Sequence, residues 1–191
     1  MPKHPKKISE EIIHQNPWWV YKRAVFELPN GEKGDYYYGE NIGNVGGVVI
    51  IPILDDGRLI LINEFRHLVE RESVGFPTGA IDPGEQPMTT AERELLEETG
   101  YQSTEHIKAG SFEDSIGRLR APIHVFIANE LTRVSIPTTT DAMEQIEVIY
   151  RRVDEFEDMI RRGEIIDGNT LGAWALAREH VHKFLANRVS K

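Results

Sequence analysis

Apolar and polar positions along this chain first alternate, then run together, then recur at helical spacing, and each change of pattern marks an element. The segment WWVYKRAVFELP, the turn-rich NGEKGD and then YYYG make two aromatic, partly alternating runs, which predict a β-hairpin or two edge strands. Two apolar runs follow, VGGVVIIPIL and RLILINEF, separated by DDGR; they predict core strands, with Asp56-Gly57 as a hairpin turn signal. Thr89 and Thr90 then precede strong helix formers from Ala91 to Glu98, and Gly100 is a C-terminal stop, so a short helix is expected there. After it, SFED, APIHVFIANEL and EQIEVIYRRV are strand candidates, and the polar stretch VSIPTTTDAMEQ is a loop between the last two. Helical periodicity covers Asp154 to Arg162 and Thr170 to Ala186. In the second, Leu171, Trp174, Ala177, Val181 and Phe184 fall on one stripe and predict core packing. Strands around one central helix, followed by strands and C-terminal helices, imply mixed α/β packing.

The short helix carries unusual charge. At about 100° per residue, Glu94, Glu97 and Glu98 fall within an arc of roughly 100°, with Ala91 and Leu95 beside them to face a core. Like charges at these spacings cost a few tenths of a kcal/mol per pair, and Arg93 is expected to relieve only Glu97 directly, so a cation is expected against that face. A ligand set made only of oxygen favours Mg²⁺, with Mn²⁺ as a substitute, over zinc.

The spacing around the helix is more specific still. Residues 79–101, GAIDPGEQPMTTAERELLEETGY, fit G-x5-E-x7-R-E-U-x-E-E-x-G-U, where U is a bulky apolar residue, with Tyr101 aromatic at the final position. This segment resembles the Nudix box. The flanks resemble the ADP-ribose pyrophosphatase and nucleoside-diphosphate-sugar hydrolase branch of that superfamily: NPWW and YYYG near the start, DDGRLILINEFRH and GFPTGAID before the helix, EQIEV and GEIIDGNTLGAWAL after it. The resemblance implies a Nudix fold, an α/β/α sandwich around a mixed β-sheet. A small N-terminal β extension over residues 1–43 would precede a hydrolase domain over residues 44–191.

Roles then carry over residue by residue. Glu94 and Glu98 match the principal metal-binding glutamates, Glu97 is a further ligand directly or through water, and the carbonyl of Thr78 matches a backbone ligand. Gly79 shapes the loop, Glu85 holds Arg93 or a metal-bound water, and Arg93 either orients the carboxylates or touches substrate. Gly100 ends the helix. Arg66, the arginine of EFR where the branch has Q-[YF]-R, would grip a phosphate by a bidentate contact. The implied reaction is divalent-metal-dependent hydrolysis of the diphosphate in a nucleoside diphosphate sugar, giving a nucleoside monophosphate and a sugar phosphate. Its general base would come from the loop TTTDAMEQIEV, as Glu144 or as Asp141. Hydrolysis of nucleoside triphosphates or dinucleoside polyphosphates is the alternative within the superfamily, and a non-catalytic nucleotide-sugar-binding domain the alternative outside enzymes.

Three stretches depart from the branch. DSIGRLRAP has Ile116 and Gly117 where ADP-ribose-specific members often carry a proline, Gly75 stands where an acid is common, and Thr78 replaces a common alanine. The substrate therefore stays open among ADP-ribose, other ADP-sugars and GDP-sugars. Arg118, in the first of these stretches, is a candidate phosphate contact.

Composition narrows the partners. A net charge of −9 over 191 residues argues against nucleic-acid binding. No cysteine is present, which suits a reducing, cytoplasmic location. The longest apolar stretch, Val45 to Leu54, is too short to span a bilayer, and the basic MPKHPKK has no hydrophobic region behind it, so neither a membrane nor a secretory signal is expected. The concentration of Trp18, Trp19, Tyr36, Tyr37 and Tyr38 in the extension suggests packing on another body. In the branch that body is a second subunit, which implies a homodimer in which Trp18 or Trp19 stacks on the base in the neighbouring site.

Overall fold

The computed structural model describes residues 3–138 and 145–189. The chain forms two compact units: the sequence up to Gly46 together with Glu113–Pro122, and Gly47–Phe112 together with the sequence from Ile123 onward.

In the first unit the aromatic runs form strands, as their alternation predicts, but there are three in a row: β1 (Lys6–Gln15), β2 (Trp19–Glu27) and β3 (Lys33–Asn41), all antiparallel. β1 escaped the pattern because its apolar positions, Ile8, Ile12 and Ile13, are scattered among charges and remain exposed. Its backbone pairs with β2 from Lys6 to Gln15, and charges cross the strands beside that ladder. Lys22 on β2 bridges Glu10 on β1 and Glu40 on β3, while Arg23 joins Glu11 to Asp35. Between β1 and β2, the Asn16 side chain accepts from the backbone N–H groups of Trp18 and Trp19 at 3.0 and 2.7 Å, an Asx turn that suits the Asn-Pro pair. The 113–122 segment belongs here through β9 (Leu119–Arg120), which pairs parallel with β3, through the Tyr36 hydroxyl, which donates to the Gly117 carbonyl at 2.6 Å, and through the Gly39 N–H, which donates to the Arg118 carbonyl.

The second unit is built on β4 (Gly47–Pro52), buried throughout. A strand covered on both faces needs a partner on both edges, and β4 pairs antiparallel with β7 (Thr78–Ala80) and parallel with β10 (Pro122–Arg133); β8 (Tyr101–Glu113) closes the order β7-β4-β10-β8. This leaves no edge of β4 for β5 (Leu59–Arg66). The turn at Asp56-Gly57 forms, with Gly57 at φ 83°, but only an isolated Ile53–Leu59 bridge follows, and the predicted hairpin opens. β5 instead joins a second, antiparallel sheet between β11 (Ile146–Arg151) and β6 (Arg71–Gly75).

One core lies against Val49, Ile51 and Ile53 of the β4 run, Leu59 and Leu61 of β5, and two helices, α2 (Val153–Arg161) and α3 (Gly168–Val189). In α3, Trp174, Ala177 and Val181 are buried as the stripe predicts. Leu171 is not: it is 36% exposed, and Thr170 and Ala173 take the buried positions of that first turn. By alternation Val48 and Ile50 point to the opposite face of β4, and α1 (Pro87–Thr99) also packs against β4 and β7. The mixed α/β architecture expected from the sequence is the one that forms. Among the described residues no helix is long and apolar enough to cross a membrane.

Candidate active site

α1 begins four residues before the run predicted from Ala91, at Pro87, whose missing N–H is no loss in a first turn. It ends where predicted: Gly100 is left-handed at φ 76° and its N–H donates to the Leu96 carbonyl at 2.8 Å. Thr90, Ala91 and Leu95 are buried, which fixes the helix rotation and carries Glu94, Glu97 and Glu98 to the side facing β7.

Arg93 does more than the helix spacing suggests. Its Nη1 donates to Glu94 at 2.7 Å and Glu97 at 3.2 Å, and its Nη2 reaches Glu85 at 3.3 Å. The expectation that Arg93 would relieve Glu97 alone is therefore corrected: the planar fork spans three carboxylates, including that of its own neighbour. Arg93 and then Thr90, whose hydroxyl donates to Glu85 at 2.7 Å, hold the Glu85 carboxyl below its usual range. Burial pulls the Arg93 guanidinium down, but Glu85 and Glu94 outweigh it and hold the group above its ordinary value.

Glu98 is 5% exposed, and its Oε2 accepts the Thr78 N–H at 2.9 Å. Thr78 is itself fixed, since its hydroxyl donates to the Val48 carbonyl at 2.8 Å. The next residue, Gly79, leaves room for Glu94: a Cβ there would stand 2.0 Å from Glu94 Oε1. Thr78, Gly79, Glu85, Arg93, Glu94, Glu97 and Glu98 are thus brought together by one helix, one short strand and the loop between them.

Among the described residues no group of three or more acidic or histidine side chains is placed to hold a metal ion. A hard divalent ion that keeps several waters needs fewer, one or two carboxylates plus substrate phosphate. The donors present, all oxygen, fit such an ion, and Glu94, Glu98 and the Thr78 carbonyl are the residues that would hold it.

The segment from Val134 to Thr138 is fastened to α1: the Thr138 N–H donates to the Glu97 carbonyl at 2.8 Å, and Val134 and Ser135 donate to that of Gly100. Asp141 and Glu144, the two candidate bases, lie outside the described residues. Arg66 ends β5 and pairs with Glu64 at 3.1 Å. Arg118 belongs to the first unit, where it lines a cavity of about 320 Å³ with Tyr36 and Tyr38. In the same unit Trp18 is 69% exposed and Trp19 partly buried.

Two contributors had no sequence signal. Thr170, buried at the start of α3, accepts the Phe76 N–H at 3.2 Å, and its hydroxyl sits where a Gly75 side chain would go, 2.7 Å from that Cβ position. Both contacts steer the strand that leads into Thr78. Glu64 was visible only as the odd letter in EFR.

The NUDIX domain family model matches residues 44–171. The chain belongs to the Nudix family. Among its relatives, the ADP-ribose pyrophosphatase of Bacillus subtilis (strain 168) is 33% identical over 162 residues, covering 85% of each chain. The GDP-mannose pyrophosphatase of Salmonella typhimurium is 35% identical over 178 residues, covering 86% of this chain and 90% of that one. The crystal structure of an ADP compounds hydrolase superposes with a TM-score of 0.81 at 23% identity, covering 95% and 96% of the two chains, and shares the fold. These matches place the chain among Nudix hydrolases, in the ADP-ribose pyrophosphatase branch.

Proposed function

We propose that this Nudix hydrolase cleaves the diphosphate linkage of a nucleoside diphosphate sugar, releasing a nucleoside monophosphate and a sugar phosphate, with Mg²⁺ as its ion and Mn²⁺ as a substitute. The observation that carries the reading is the fixing of the box carboxylates, Glu98 on the Thr78 N–H and Glu94 on Gly79. A divalent ion, when bound, supplies neutralisation of the diphosphate and a lowered pKa for an attacking water. The protein's own part is positioning. Arg93 holds Glu94 and Glu97 in one orientation, Thr78 presents its carbonyl from a strand pinned to Val48, and the loop bearing Asp141 and Glu144 supplies the base, with Glu144 favoured.

The exposed aromatic and aliphatic side chains of the first unit, among them Ile12, Trp18 and Tyr37, support a homodimer. In that assembly Trp18 or Trp19 contacts the base of a substrate bound to the neighbouring chain, and Arg66 and Arg118 contact phosphate.

A panel of ADP-ribose, other ADP-sugars, GDP-mannose, nucleoside triphosphates and dinucleoside polyphosphates, assayed in Mg²⁺ with product analysis, tests the reading. Monophosphate plus sugar phosphate is the expected outcome. Pyrophosphate released from a triphosphate as the only turnover would overturn it.

A further inference from the structure

Helix α3 meets the strand that leads into the site at a buried threonine. Thr170 is 1% exposed, and its hydroxyl accepts the Phe76 N–H at 3.2 Å. The threonine is itself fixed, because its own N–H donates to the Asp167 carboxylate at 2.8 Å in the manner of a helix N-cap. The Phe76 ring is held as firmly. Its centroid lies 5.0 Å from that of Phe156 on α2 and 6.2 Å from that of Trp174, one turn beyond Thr170 on α3. Gly75 closes the contact: a Cβ there would stand 2.7 Å from the Thr170 hydroxyl oxygen, so strand and helix meet with no side chain between them.

Phe76 stands two residues before Thr78, and the chain between them is stiff. The ring of Pro77 fixes its φ, and a residue before proline is confined to extended conformations. The peptide unit joining Pro77 to Thr78 is bonded at both ends: its carbonyl accepts the Ile50 N–H at 2.9 Å, and its N–H donates to Glu98 at 2.9 Å. β4 therefore anchors the segment at Ile50 and, through the Thr78 hydroxyl, at Val48, while α3 anchors it upstream at Phe76. A segment so short and stiff carries a shift at Phe76 on to Thr78.

Building on the metal-dependent reading above, we propose that Thr170 is a positioning residue for the metal site. By holding Phe76 it sets Thr78, whose N–H orients the Glu98 carboxylate and whose carbonyl is the backbone ligand. Ion affinity then depends on a helix that carries none of the three ligands. Without the hydroxyl, the Phe76 N–H is buried with no acceptor, and the segment shifts to find one.

Mn²⁺ titrated into the substrate-free protein, followed by the electron paramagnetic resonance of the free ion, tests this without turnover. Thr170→Val has the same shape but no acceptor, and should weaken Mn²⁺ binding at least about 10-fold; Thr170→Ser keeps the hydroxyl and should stay within about 2-fold of wild type. Val181→Ala, a truncation in the buried stripe of the same helix, should lower the melting temperature and leave Mn²⁺ affinity alone. Should Thr170→Val fail to fold, Gly75→Ala takes its place, since its Cβ presses on the same hydroxyl, and it too should weaken binding. Wild-type affinity in the folded variant, or an equal loss in Thr170→Ser or Val181→Ala, would overturn the assignment while leaving metal-dependent hydrolysis intact. Wild-type protein that binds no Mn²⁺ would overturn it as well, and turnover in Mg²⁺ would then show whether the broader reading survives.

Discussion

Glu94 rests on Gly79 so closely that no side chain fits between them: a Cβ would lie 2.0 Å from Oε1 and 2.6 Å from Cγ. The glycine at the head of the box is thus a seat for a carboxylate fifteen residues further along the chain. Gly79→Ala should fold, since its neighbours in β7 are unaffected, but should lower turnover at least about 100-fold by displacing Glu94. In a Glu94→Ala background the same substitution should cost almost nothing more. An equal loss in both backgrounds would show that the glycine acts some other way.

Glu98→Gln keeps the shape of a buried side chain and an acceptor for the Thr78 N–H, yet removes the charge. Turnover in saturating Mg²⁺ should fall at least about 100-fold, roughly 3 kcal/mol of transition-state stabilisation, with little change in melting temperature. Near-normal rates would remove Glu98 from the metal site.

For the base, Glu144→Gln should depress kcat far more than KM, while Asp141→Asn should matter little. The opposite ranking would transfer the role to Asp141, and no effect from either would require a base within the box.

Tyr101 closes the box and is 9% exposed, with its hydroxyl 3.2 Å from that of Tyr150. Burial, then the Tyr150 hydrogen bond, pushes its pKa up to about 12 from an ordinary value of 10.0. A raised folded-state value means the unfolded chain gives up its proton first, so stability should be intact below pH 10 and decline from there to about pH 12. Thermal melts across that range should show a shallower decline for Tyr101→Phe than for wild type. Parallel curves would mean the pair does not govern alkaline stability.

The dimer proposal predicts a concentration-dependent sedimentation coefficient, and charges at Ile12 and Tyr37, both more than half exposed, should shift it toward monomer. Trp18→Ala and Trp19→Ala should raise KM with kcat little changed. A wild-type protein that sediments as monomer at every concentration would refute the assembly.

What could be read from sequence was what short-range physics decides. Helical spacing located α1, and Gly100 ended it, because a left-handed cap requires a glycine locally. Buried strands were legible as apolar runs, but pairing was not: whether β4 would accept β5 depended on β7 and β10, distant in sequence, claiming both of its edges. β1 was hidden because it is held by backbone pairing with β2 and by charges meeting Lys22 and Arg23, neither of which leaves an apolar pattern in its own sequence. In the site, spacing alone identified the carboxylate face, whereas Arg93 reaching Glu94, and Thr170 filling the place of a Gly75 side chain, depend on rotamers and on contacts across 95 positions of sequence or fewer that no periodicity encodes.

The bonds from Thr138 to Glu97 and from Val134 and Ser135 to Gly100 tie one end of a connection to the helix that carries the carboxylates, and β11 ties the other end to β5. The three bonds at the helix run from backbone N–H to backbone carbonyl and use no side chain. Any residue but proline brings the N–H that such a mooring needs, so the hold on the helix is carried by backbone geometry and is indifferent to the side-chain chemistry that selection places at 134, 135 and 138.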